Sequence, residues 1–244
     1  MKVSCICATY NRPPHFQWLL EEAIESFLRQ DYAEKELIVL NDCPGQELIC
    51  DSPDVLVINF PKRFSSLGEK LNAGMALASG SLLTNWDDDD ISLPWRLSTS
   101  IERLAEADYY NPHAYWYCGQ LGLQSDHRMG TSQNCSLFRR AAFDAVNGYP
   151  HTSVDNDQVI HQRLGTHPAV KLADPLALRP DEWFYIYRRN VGPLPLSSIN
   201  SPDTWSKHIG QMPVIQGRTV LRPYWKEEYV QTTRYALGMS LYEV

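Results

Sequence analysis

No stretch of the 244-residue sequence approaches the ~20 consecutive apolar residues that a membrane-spanning helix requires. The opening MKVSCICATYN turns polar too soon for a secretory leader. The six cysteines contain no CxxC pair, and the seven histidines show no HxH or HExxH spacing, so no zinc site is written in the pattern. Positive charge is in short supply: 22 Lys and Arg stand against 29 Asp and Glu, a net charge of -7. A chain built to coat nucleic acid is normally basic, so nucleic acid is not an expected partner. Internal repeats, low-complexity tracts and a clear interdomain linker are also missing. Cys5 and Cys7 lie in an apolar run, where cysteine acts as a small core residue. Reduced thiols in a cytoplasmic protein are therefore expected rather than a disulfide framework.

What remains is an ordinary globular composition, 43% hydrophobic and 21% charged. Lys2 to Thr9 reads as a short buried strand. Phe16, Leu19, Leu20, Ala23, Ile24, Phe27 and Leu28 recur at helical spacing, with Pro14 suited to the first turn. Glu36–Leu40 and Asp54–Phe60 are further strands. Leu71, Gly74, Met75 and Ala78 mark a short helix closed by Gly80, and Ser81–Trp86 is a fourth strand. Another helix begins at Pro94, with Leu97, Ile101 and Leu104 on one face. This alternation predicts an α/β fold with a mostly parallel sheet and helices on both faces. Beyond it, Ala114–Leu123, Gln133–Phe138, Ala169–Leu172 and Glu182–Arg188 read as strands. Arg139–Val146 and Asp157–Leu164 read as helices, Asn190–Pro202 as a loop, and the residues after Val220 as a C-terminal helix.

In parallel sheets, ligands sit beyond the carboxyl ends of the strands. Thr9-Tyr10-Asn11, Asn41-Asp42 and Asp87-Asp88-Asp89-Asp90 all follow strand ends, so three polar clusters are expected on one rim. Four adjacent carboxylates repel one another unless they are well solvated or lie beside a cation. Alternate residues of an extended chain face one side, so Asp87 and Asp89 are placed to act together. A hard divalent ion, Mg²⁺ or Mn²⁺, commonly takes one or two carboxylates plus substrate phosphates. The plainer alternative is a solvated acidic turn capping the helix after Pro94.

Ala8-Thr9-Tyr10-Asn11-Arg12, Gln30-Asp31-Tyr32, Glu36 to Asp42, Leu67 to Gly74, Ala78-Ser79-Gly80-Ser81 and Asp87 to Pro94 occur in order. That ordered set resembles the inverting glycosyltransferase family 2, whose fold is GT-A. The match is close over residues 3 to 105 and looser to about 190. The resemblance implies a GT-A domain over residues 1–215, with a nucleotide-sugar half (1–105) and an acceptor half (106–215). Residues 216–244 then form a C-terminal extension. It implies a nucleoside-diphosphate sugar donor, UDP-sugar favoured, and a divalent cation. The acceptor would be a glycan, a lipid-linked glycan or a protein, with peripheral membrane contact if it is lipid-linked.

Carried over position by position, the resemblance puts the nucleotide against Thr9, Tyr10, Arg12, Asp42 and Lys70, with Lys62 and Arg63 as rivals to Lys70. Asn41 stands where the family usually has a second acid. The plainer role for Asp42 is to form the turn before Cys43-Pro44-Gly45. Asp87-x-Asp89 falls on the DxD motif, with Asp87 and Asp89 as metal ligands and Asp88 near the ribose. Counting back from Arg163-Leu164 places the catalytic base at Asp157, with Asp155 as fallback. Asn156 replaces the family's preceding Glu, and capping of the following helix competes for Asp155 and Asn156. Gly130 to Asn134 would line the donor sugar and acceptor. Trp116 is expected in the core, Trp183 either there or against a sugar, and His208 is a candidate late metal ligand. Two other functions fit parts of the pattern: a sugar-nucleotide-binding protein without transfer activity, and a nucleotidyltransferase. The latter usually carries a Gly-rich loop where this chain has Tyr10-Asn11-Arg12-Pro13-Pro14.

Overall fold

The computed structural model of the protein describes residues 1–119, 122–126, 133–175, 178–188 and 213–238. The first half holds β1 (Val3–Thr9), α1 (Gln17–Leu28), β2 (Lys35–Asn41), β3 (Gln46–Ile49), β4 (Val55–Asn59), α2 (Leu67–Leu77), β5 (Leu82–Asn85), β6 (Ile91–Ser92) and α3 (Arg96–Leu104). The second half holds β7 (Tyr109–Tyr110), β8 (Tyr115–Gly119), β9 (Gly122–Asp126), β10 (Leu137–Arg139), α4 (Arg140–Ala145), α5 (Asn156–Thr166), β11 (Tyr185–Arg188), β12 (Gly217–Val220) and α6 (Tyr229–Ala236).

The main sheet has the order β4-β2-β1-β5-β10-β7. Its first four strands are parallel, with Val3 opposite Lys35 on one side and Leu82 on the other. β10 and β7 extend it antiparallel. β1 is buried along nearly its whole length, as expected of a central parallel strand covered on both faces. One face packs α1 through Leu20, Ala23, Ile24 and Phe27. The other packs α2, α4 and α5 through Leu71, Met75, Phe143, Ile160 and Leu164. A smaller sheet, β6-β11-β8-β9, stands beyond the acidic block, and β12 pairs in parallel with β3.

Several elements differ from the sequence reading. α2 starts at Leu67 because Ser66 caps it, its hydroxyl accepting from the N–H of Glu69 at 3.2 Å. Ala114–Leu123 is not one strand: β8 and β9 form an antiparallel hairpin with Gly119 opposite Gly122. Gln133–Cys135 is a 3-10 turn that precedes the short strand β10. Ala169–Leu172 contributes only a single bridge, from Leu172 to Tyr109. β3, β6, β7 and β12 were not legible as strands, being two to four residues long and held by their neighbours. All six cysteines are free thiols, and no described helix is long and apolar enough to cross a membrane.

Candidate active site

β1, β2 and β5 end at the same edge of the main sheet, which brings Thr9, Asp42 and the Asp87–Asp90 turn together. Lys70 reaches up from α2 between the first two. Its ammonium donates to the carbonyl of Thr9 and to Oδ1 of Asp42, each at 2.6 Å. The other oxygen of Asp42 accepts from the main-chain N–H of Phe64 at 3.0 Å. Burial pulls the Lys70 pKa down, while the charge of Asp42 opposes that pull. Of the rivals, Lys62 is exposed, and Arg63 lays its guanidinium over the ring of Tyr10 at 4.1 Å.

Arg12 crosses from the end of β1 to the acidic turn. Its Nε donates to Oδ2 of Asp88 at 2.8 Å, and Nη2 bonds the second oxygen of the same carboxylate. Nη2 also lies 3.1 Å from Asp89. The forked geometry makes this a strong, directional pair. Burial raises the Asp88 pKa, but the charge of Arg12 and hydrogen bonds from Arg12 and Thr9 hold it below the usual carboxylate value.

The acidic block is therefore not a solvated run. Asp90 is 4% exposed. It precedes β6 rather than the helix, whose cap position is Trp95, so the helix-capping alternative does not describe it. Asp87 is pushed up to about 7 by burial first and the neighbouring charge of Asp89 second. Burial and the same neighbours raise Asp90 well above the ordinary range. The hydroxyl of Tyr185 lies 2.7 Å from Asp87 and also contacts Asp90. A hydroxyl carries one proton, so both short contacts are satisfied only when one of the two carboxyls is itself protonated. Arg96 supports the turn from below: it is buried, donates to the carbonyls of Asn85 and Asn134 at 2.7 and 2.8 Å, and stacks over Trp86 at 4.5 Å.

Asp157 lies in the first turn of α5. That helix packs against the Gln133–Cys135 turn, which packs on β5, so Asp157 is carried toward the same rim from the far half of the chain. Burial raises its pKa, with the charge of Asp155 adding to the effect. Asp155 occupies the cap position in a left-handed conformation, φ 56°, without a side-chain cap bond. Asn156 is buried, and its Oδ1 accepts from the N–H of Asp157 at 2.8 Å. One turn on, His161 Nδ1 faces the hydroxyl of Tyr109 at 2.7 Å and the amide nitrogen of Asn111 at 3.4 Å.

Trp183 joins Trp116 in the core, their rings edge-to-face at 5.2 Å and both nearly fully buried. Gly130, Thr131, Ser132 and His208 lie outside the described residues. The sequence reading missed Glu22, Arg188 and Tyr185, which brace the acidic turn. Glu22 carried a signal: three residues after Leu19 and four before Ser26, it lies on the buried stripe of α1, where an acid demands a partner.

A parallel sheet that gathers a buried Lys–Asp pair and an Arg-bound acidic turn at its carboxyl edge has the GT-A architecture of sugar-nucleotide enzymes. The model of glycosyl transferase family 2 matches residues 4–148, more than half of the chain, and the chain belongs to that family. It is 33% identical over 119 residues to the uncharacterized glycosyltransferase YwdF of Bacillus subtilis, covering 47% of this chain and 42% of that one. It is 32% identical over 134 residues to the putative colanic acid biosynthesis glycosyl transferase WcaA of Escherichia coli, covering 51% and 44%. The chain thus spans less than half the length of these relatives. Among solved structures, S. aureus TarS 1–349 in complex with UDP-GlcNAc superposes with a TM-score of 0.61 at 16% identity, covering 85% of this chain and 64% of that one. That likeness establishes the fold.

Proposed function

We propose that the protein transfers a sugar, with inversion, from a nucleoside-diphosphate sugar to an acceptor hydroxyl in glycan biosynthesis. The observation that carries this reading is the meeting of the Arg12-bound Asp87–Asp90 turn with Thr9 and the Lys70–Asp42 pair on one sheet edge. Tyr10, with Arg63 stacked on it, Thr9 and Asp42 would take the nucleoside, and Arg12 and Lys70 supply positive charge near its diphosphate. UDP is the favoured nucleotide, because solved TarS complexes of the same fold hold UDP and UDP-GlcNAc. A glycan or lipid-linked glycan is the favoured acceptor. A GalNAc(5)-diNAcBac-PP-undecaprenol beta-1,3-glucosyltransferase of Campylobacter jejuni is 35% identical over 113 residues, covering 43% of this chain and 35% of that one. The free thiols suit a reducing, cytoplasmic compartment.

The donor set suits a hard divalent cation. Asp87 and Asp89 offer oxygen only, and their mutual repulsion contributes to lifting Asp87 to about 7; a dication held by these residues would relieve that repulsion. Among the described residues no group of three or more metal-binding side chains is present, so phosphate and water oxygens would complete the shell, as is usual for Mg²⁺. Such an ion would neutralise charge on the departing diphosphate. Asp157 would accept the proton of the acceptor hydroxyl as its oxygen bonds to the anomeric carbon and the bond to the diphosphate breaks. Burial suits it to this role by bringing its pKa closer to neutrality.

A thermal-shift panel of nucleoside diphosphates, with and without Mn²⁺, tests the reading. A ligand that binds only the folded state raises its stability by mass action. UDP is expected to raise the melting temperature, and more so with Mn²⁺. A panel in which no nucleotide moves it rejects the donor site.

A further inference from the structure

A chain of buried contacts runs from the C-terminal segment to the acidic turn. Glu22 on α1 accepts from the hydroxyl of Tyr229 at 2.9 Å and from the main-chain N–H of Lys226 at 2.8 Å. Its other oxygen pairs with Nη1 of Arg188, and both side chains are almost wholly excluded from solvent. Arg188 ends β11. Its main-chain N–H donates to Oδ1 of Asp90 at 2.7 Å, and its Nε donates to the main-chain carbonyl of Asp89. Nη2 is buried with no partner among the described residues.

An ion pair this deeply buried is a poor source of stability, since well-packed apolar residues of similar volume often serve as well or better. An apolar pair cannot grip a carbonyl. The guanidinium does so through Nε while Nη1 stays paired with Glu22. We infer that Arg188 is a positioning residue: it fixes the main chain of the acidic turn so that Asp87 and Asp89 are presented together, and it ties that turn to α1 and the C-terminal segment. This rests on the reading that the turn receives a divalent cation and a nucleoside diphosphate.

The test is Arg188→Lys, which keeps a cation opposite Glu22 but loses the separate Nε donor to the carbonyl of Asp89. Hydrogen exchange followed by mass spectrometry reports the turn, and titration calorimetry of UDP with and without Mn²⁺ reports the site. Faster exchange confined to the peptides spanning Trp86 to Leu93 is expected. The gain in UDP affinity given by Mn²⁺ should fall about tenfold, the scale on which residues behind metal ligands act, a larger loss than that of metal-free UDP affinity. Unchanged exchange at the turn overturns the inference. So does faster exchange with an undiminished Mn²⁺ effect, which would make Arg188 purely structural. If wild-type protein binds no UDP while the variant's turn loosens, positioning stands and the donor-site reading falls. Should Arg188→Lys fail to fold, the double variant Arg188→Met, Glu22→Gln removes both charges and is measured in the same way, with the same overturning results.

Discussion

Lys70 and Asp42 form an ion pair at 2.6 Å in which each side chain is 5% exposed. The pair locks the carboxyl ends of β1 and β2 to α2, because the same ammonium also holds the carbonyl of Thr9. Removing one partner strands the other as a buried charge, which typically costs ~3–5 kcal/mol. Lys70→Met should therefore lower the free energy of unfolding by about that amount in urea titrations. The double variant Lys70→Met, Asp42→Asn should regain much of the loss, since no bare charge remains. If the double variant is as unstable as the single one, the ion pair is not the source of the effect.

Gly68 sits in the first turn of α2 beneath the loop that leads to Asp157. A Cβ there would lie 1.8 Å from the carbonyl oxygen of Pro150, and the Gly68 N–H donates to the carbonyl of Thr152 at 3.0 Å. The obstacle is main chain, so the loop must move to admit even a methyl group. Gly68→Ala is expected to cost ~1–3 kcal/mol, the usual range for overpacking. It should also lower kcat for sugar transfer more than it weakens UDP binding, since the loop carries Asp157 and not the nucleotide contacts. Equal losses in both would place the strain elsewhere.

The parallel half of the fold was legible because its strands and helices are each long enough to show their period. Val3–Thr9, Lys35–Asn41 and the buried stripe of α1 follow the sequence reading within a residue or two. The strand ends then put Thr9, Asp42 and the acidic block on one rim. The second half was less legible because its elements are short and held by tertiary pairing: β6 and β7 have two residues each. The partners of the acids were hidden for a similar reason. Arg12 to Asp88 spans 76 residues and Arg188 to Glu22 spans 166, and no local pattern encodes such pairings. The block was read as repelling charge that is either solvated or set beside a divalent cation, and the neutralisation of part of it by Arg12 was not foreseen.

Glu36 predicts a pH dependence of stability. Burial pushes its pKa up, but hydrogen bonds from Lys2, Ser4 and both the N–H and hydroxyl of Ser79 outweigh that and hold it at about 2. The folded value lies below the unfolded value of 4.5, so the stabilisation is fully present above about pH 4.5 and is lost as pH falls toward 2. The linked free energy is ~2 kcal/mol after discounting for solvent screening. Glu36→Gln should therefore destabilise the protein near neutrality and flatten the acid limb of stability between about pH 4.5 and 2. Parallel acid limbs for variant and wild type would remove Glu36 as the cause.

Asp157 supplies the sharpest prediction about chemistry. If it takes the proton from the acceptor hydroxyl, Asp157→Asn should lower kcat by ~10²–10⁴-fold, the usual worth of a positioned general base. UDP affinity should be unchanged, because Asp157 lies on α5 and the proposed nucleotide contacts lie at and just beyond the ends of β1 and β2 and on α2. The pH profile adds a second test. Burial raises the Asp157 pKa, and a base works only when deprotonated. The acid limb of kcat/KM should therefore lie above that of an unshifted Asp, with activity rising as pH increases through it and the limb vanishing in Asp157→Asn. Asp155 is the competing carboxylate two residues away, so Asp155→Asn serves as the control. If that variant loses transfer while Asp157→Asn retains it, the base is Asp155, and the left-handed backbone at its cap position would then hold the reacting group.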